Sequence, residues 1–159
     1  MTKLNLLVAT LESKIPFHNI INGNVSKASV GWHLDHSLKV LNAVLLSLKE
    51  SKPEEYRWKF NTTRFIIYTL GFFPRGKVKA PKSVRAYETI TLSDLKTQFE
   101  TAQSELLKLN SLHKNANFNH PFFGQLNLKQ TIYFLELHTN HHLKIINDVL
   151  KKTSYLDCM

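Results

Sequence analysis

The sequence contains a single cysteine, Cys158, next to its end. No disulfide framework can form within one chain, so a reducing, cytoplasmic setting is the expectation. Long apolar runs are also missing. The longest, Phe65 to Phe73, is nine residues and includes Thr69 and Gly71, whereas a membrane-spanning helix needs about 20. No membrane span is therefore expected. The N-terminal MTKLNLLVATLESKIPF lacks the longer apolar run and small-residue cleavage site of a signal peptide. Internal repeats, low-complexity tracts and sustained strand alternation are absent as well. Acidic residues vanish from Tyr56 to Tyr87, a stretch that carries Arg57, Lys59, Arg64, Arg75, Lys77, Lys79, Lys82 and Arg85. Much of the formal charge of +9 sits there, and a field of one sign attracts anions of any kind.

What is present is helical periodicity. With 159 residues, 43% of them hydrophobic, the chain can bury one real core, and a single domain over 1–159 is expected. Leu4, Leu7, Val8, Leu11 and Ile15 share one face of a first helix, about Lys3 to Lys14. Leu34, Leu38, Leu41, Leu45 and Leu48 stripe a second, from Lys27 or Ser29 to Lys49, with Ser26 or Ser29 as its N-cap. A shorter helix is expected from Thr62 to Leu70, and a third long one from near Ser93 to near Leu109. The fourth long helix starts after the N-cap Asn127 and runs to about Lys152, with Leu128, Ile132, Leu135, Ile145 or Ile146, and Val149 on its stripe. Gly71 to Glu88 and Asn110 to Gln125 read as loops. The sum is an all-α, four-helix bundle with a short extra helix and a basic loop, an architecture in which facing helices build sites in the core.

Of the eight histidines, five lie on two of these helices. On the fourth, the buried stripe 128, 132, 135, 138, 142, 145, 149 places His138 and His142 where apolar side chains belong. They are four apart, so their rings lie one turn apart on one face. HExxH proteins present two imidazoles to zinc in this way, although the residues between are here Thr139, Asn140 and His141, without the metalloprotease glutamate. Two neutral imidazoles in a core need partners for four ring nitrogens. On the second helix, His33 sits at the edge of the arc of Val30, Val40 and Val44. His36 points further from the leucines and is expected to face solvent or to stand behind the ligands. His33, His138 and His142 are the expected metal ligands, with His36 and His141 as alternatives or outer partners. Bonding of these rings to one another or to backbone is the structural alternative, and three of them on two core-facing stripes favour a metal.

His33-Leu34-Asp35-His36-Ser37 resembles the HLxxS-type signature on the second helix of the DinB-like superfamily. His138-Thr139-Asn140-His141-His142-Leu143-Lys144-Ile145 resembles its fourth-helix HxxxHxxxI segment. The resemblance implies a four-helix bundle holding a metal through one histidine of helix two and two of helix four, here His33, His138 and His142. The superfamily includes YfiT-type metal-dependent hydrolases, and transferases and isomerases that use a low-molecular-weight thiol. A hydrolase or thiol-dependent transferase acting on a small molecule is thus implied. Three imidazoles suit zinc, nickel, manganese or iron and do not choose among them.

No general base is singled out; His36 and His141 are nearest, and Tyr68, Tyr87 and Tyr133 could supply phenolic donors. His120 is a weak candidate, in a His120-Pro121-Phe122-Phe123-Gly124 turn read as structural. Gly71 to Val78 nearly spells a phosphate loop, but Val78 replaces the magnesium-binding hydroxyl and Pro81 blocks the helix that should follow. The basic segment 74–85 sets up the alternative function, a non-catalytic bundle that binds an anionic partner such as nucleic acid or an acidic surface. Nucleic acid is not the expected partner, since no helix-turn-helix, zinc-finger or RNA-binding signature accompanies the charge. An intermediate possibility is that Arg75, Lys77 or Lys79 recruits an anionic substrate or thiol to the metal. Bundles pair readily through exposed helix faces, so a homodimer is plausible on general grounds.

Overall fold

A computed structural model describes residues 2–75 and 90–156. Its five α-helices are α1 (Lys3–Glu12), α2 (Val30–Glu50), α3 (Thr62–Leu70), α4 (Leu92–Lys108) and α5 (Leu128–Leu156). Their starts follow local chemistry. Thr2, Ser29, Asn61 and Thr91 each accept a backbone N–H of the first turn, which satisfies donors that the helix itself leaves unpaired. Asn127 does the same for α5: its Oδ1 accepts from Gln130 N at 2.9 Å while Gln130 Oε1 accepts from Asn127 N at 3.1 Å, a reciprocal cap. Gly71 closes α3 at φ 70°, a conformation that costs glycine little.

The four long helices form the bundle. α1 and α2 each pack against both α4 and α5, so the pairs α1/α2 and α4/α5 sit across its diagonals. The expected stripes line one core: Leu34, Leu38, Leu41, Leu45 and Leu48 from α2, Leu135, Ile145, Ile146 and Val149 from α5, and Leu4, Val8 and Leu11 from α1. Because α2 has two neighbours, it is buried over a wider arc than its leucines span, and His33, Asp35, His36 and Ser37 are buried too. The start of α2 lies close against the turn at Ile15–Phe17: Gly31 N donates to His18 O at 2.7 Å, and a Cβ at Gly31 would come within 2.9 Å of that oxygen.

The stretch from Asn110 to Gln125, expected as loop, contains a small antiparallel hairpin, β1 (Asn117–His120) and β2 (Gly124–Asn127). Strands of four residues are too short for alternation to stand out. Side chains from elsewhere hold the hairpin in place. Ser51 Oγ accepts from Asn117 N, Asn61 Nδ2 donates to Phe122 O, and buried Arg64 donates to the carbonyls of Phe123, Gln125 and Lys59. Trp58, Phe60, Phe65, Ile66 and Leu70, on α3 and the segment before it, are exposed. No helix of the described residues is long and apolar enough to cross a membrane.

Candidate metal centre

α2 and α5 lie side by side, and the face between them is lined by histidine. His36, His138 and His142 each offer a ring nitrogen, and these atoms all lie within 4.8 Å of one another. The three could hold a metal ion. His36 and His142 are buried and His138 is partly exposed. The α2 residue in this group is His36, whereas the sequence pattern favours His33. His36 does not face solvent, being 4% exposed. The two rings are three residues apart and so share a face, and the roll of α2 against α5 brings His36 between His138 and His142, with ring centroids 5.2 and 4.9 Å away. His33 stands beside the group, its Nδ1 3.0 Å from His142 Nδ1 and its Nε2 3.0 Å from Ser26 Oγ.

Trp32, which no sequence signal marked, closes one side. Its ring stacks on His36 at 5.1 Å and meets His33 edge-on at 5.2 Å. Phe73 packs edge-on against His138 and His141 on another. This enclosure decides protonation. Burial pushes His138 and His142 well below the usual imidazole range, and their histidine neighbours push the same way, since adjacent positive charges repel. His33 is lowered to about 4, chiefly by burial and then by His36. His141 is lowered by burial, while a hydrogen bond with the Phe73 backbone pulls it upward. Four rings around the site are thus neutral at pH 7, the form in which imidazole binds metal.

The other sequence candidates fall as follows. His141 lies at the edge, 5.2 Å from His142 between ring centroids, and lines a cavity of about 260 Å³ together with Phe72, Phe73, Arg75, Asn140 and Lys144. Arg75 also pairs with Asp148 at 2.7 Å, with both side chains about half exposed. Lys77, Lys79 and Tyr87 lie outside the described residues. Of the candidate tyrosines, the two that are described are committed to structure: Tyr68 donates to Gln130 O and Tyr133 to Tyr68 O. Burial raises the Tyr68 phenol far above its usual value, so it is a poor proton source.

His120 is held by its own turn. Its Nδ1 accepts from Phe122 N and Phe123 N at 3.1 and 3.2 Å, and its ring stacks on Phe123 at 4.2 Å. Nδ1 therefore carries no proton and neutral His120 is protonated at Nε2. Burial lowers its pKa from 6.5 to about 4. Between these values the unfolded chain takes up a proton that the folded one refuses, so this stabilisation is complete above pH 6.5 and is lost as pH falls toward 4. The expected loss attributable to His120 is about 2 kcal/mol between pH 7 and pH 5. His120→Asn retains an acceptor without titrating, and urea unfolding of both metal-free proteins at the two pH values should show its smaller loss. Parallel pH profiles would refute the assignment.

The described geometry agrees with comparison against protein families. A family model described as the DinB superfamily matches residues 22–146, which takes in α2 through most of α5. No curated protein and no solved structure matches the chain.

Proposed function

The chain belongs to the DinB superfamily, and on that premise we propose that it is a metal-dependent enzyme, a hydrolase or a low-molecular-weight-thiol transferase. The observation that carries the proposal is the cluster of His36, His138 and His142, contributed by two helices, in which burial favours the neutral form of His138 and His142. The donor set fits a divalent transition metal: three imidazoles with no thiolate suit zinc, nickel, manganese or iron, and a three-ligand site leaves positions for a reactant. A divalent ion in such a site supplies Lewis acidity and lowers the pKa of a water or thiol that it binds.

Trp32 packs on the rings of His33 and His36 and Phe73 on those of His138 and His141, and burial favours the neutral imidazole at His33, His138 and His141. The cavity beside His141 is the proposed substrate entrance. Its aromatic wall, Phe72 and Phe73, suits an apolar body, and Arg75 and Lys144 suit an anionic group. The Arg75–Asp148 pair is half exposed and therefore weak, so Arg75 can turn to an incoming anion at little cost. Lys77 and Lys79 extend the same basic run along the sequence. His141 is the proposed proton carrier, since it borders both the cluster and the cavity.

The test is to reconstitute metal-free protein separately with zinc, nickel, manganese and iron. Each form is then assayed for ester, amide and phosphoester hydrolysis and for conjugation of a low-molecular-weight thiol to an electrophile. Activity is expected with at least one metal, and Arg75→Glu should raise KM for anionic substrates with little change in kcat. A metal-loaded protein inactive in every assay would refute the enzyme reading. It would favour the alternative, recognition of an anionic partner through the basic stretch.

A further inference from the structure

His33 is 5% exposed, and both of its ring nitrogens are engaged. Nε2 faces Ser26 Oγ and Nδ1 faces Nδ1 of His142, each at 3.0 Å. Two neutral imidazoles meeting through Nδ1 must divide the roles, one donating and the other accepting. The chain Ser26–His33–His142 therefore has two arrangements. In the first, the Ser26 hydroxyl donates to His33 Nε2 and His33 Nδ1–H donates to His142 Nδ1. His142 then carries its proton on Nε2. In the second, His142 Nδ1–H donates to His33 Nδ1, and His33 Nε2–H donates to Ser26 Oγ. His142 Nε2 then presents a bare lone pair. Ser26 can accept in this arrangement because its oxygen has two lone pairs, of which one takes Ala28 N at 3.1 Å.

We propose that His33 is the positioning residue of the metal centre: its Nδ1 accepts a hydrogen bond from His142 Nδ1–H, so that His142 turns Nε2 to the ion, and Ser26 holds His33 in the tautomer that can do so. Only the second arrangement frees a His142 nitrogen while keeping every hydrogen bond of the chain. Metal binding selects it by moving one proton within each ring, with no net proton release. Metal-bound histidines commonly donate their other N–H to a carboxylate, a carbonyl or water, and such partners set ring orientation and basicity. Here an imidazole takes that place. The inference rests on His36, His138 and His142 being the ligands.

Zinc affinity is measured by competition with a chromophoric chelator for wild type, His33→Ala, His33→Gln and Ser26→Ala. X-ray absorption at the zinc edge counts the bound imidazoles, and long-range 1H–15N spectra of the zinc form assign tautomers. His33→Ala should weaken zinc binding about 10- to 100-fold and leave the imidazole count at the wild-type value. His33→Gln, whose amide oxygen accepts a hydrogen bond, should regain part of the loss and keeps the test valid where alanine impairs folding. Ser26→Ala should weaken binding less than His33→Ala. Zinc-loaded wild type should show His142 protonated at Nδ1 and His33 at Nε2. An imidazole count that falls by one in His33→Ala would make His33 a ligand and overturn the proposal, as would unchanged affinity or no recovery by glutamine. Those results leave the metal centre standing, whereas wild type that takes up no metal removes both readings.

Discussion

Replacing His36 and His142 together by alanine is expected to abolish stoichiometric metal uptake. Structural zinc sites with four ligands bind with apparent free energies of about 10–16 kcal/mol, or roughly 3 kcal/mol per ligand. Loss of two ligands should then cost roughly 6 kcal/mol, about 10⁴-fold in affinity. Wild type purified without an affinity tag should carry about one transition metal per chain, read by elemental mass spectrometry after dialysis, and the double variant should carry background levels. His113→Ala is the control, because His113 is exposed and outside the cluster. A second readout is stability. Zinc at a hundred times its Kd should stabilise the wild type by about 2.7 kcal/mol, a rise in Tm of roughly 5–10 °C for a chain of this size. The double variant should show no such rise. Equal metal content in both proteins would refute the site. Because His142 belongs both to this cluster and to the set that the sequence pattern favours, the single variant His36→Ala, also expected to lose the metal, is the one that separates the two.

Arg64→Met is expected to destabilise the protein by about 3–5 kcal/mol, since hydrogen bonds from a charged donor are worth roughly 1.5–3 kcal/mol each. Arg64 is 6% exposed and its guanidinium serves the carbonyls of Phe123, Gln125 and Lys59. Methionine fills the aliphatic volume but leaves those buried acceptors without their donor. The loss should appear as a lower urea midpoint at unchanged m. It should also appear as faster hydrogen exchange in the hairpin, which Arg64 ties to α3. The hairpin carries His120 and Phe123, and Phe123 packs against Phe73, whose ring borders His138 and His141. Arg64→Met should therefore weaken metal binding modestly as well. A destabilisation below about 1 kcal/mol would mean that water replaces the guanidinium at little cost.

The sequence alone was sufficient for the helices and for the α5 face on which histidines gather. Periodicity at 3.6 residues and the polar caps Ser29, Asn61 and Asn127 are local chemistry, and local chemistry is written in consecutive residues. His138 and His142 were legible for the same reason: a polar residue on a buried stripe is visible wherever the stripe is. Three features required the tertiary structure. The hairpin at Asn117–Asn127 is held by Ser51, Asn61 and Arg64, far away in the chain, so its own residues carry little strand signal. Trp32 became part of the site only because α2 is buried on two sides. Above all, which of His33 and His36 stands between His138 and His142 turned on how α2 rolls against α5. The two rings lie on one face, and a small rotation exchanges the one that joins His138 and His142 for the one that supports His142 from outside. That rotation is set by side chains along the whole length of both helices, and no spacing within α2 encodes it.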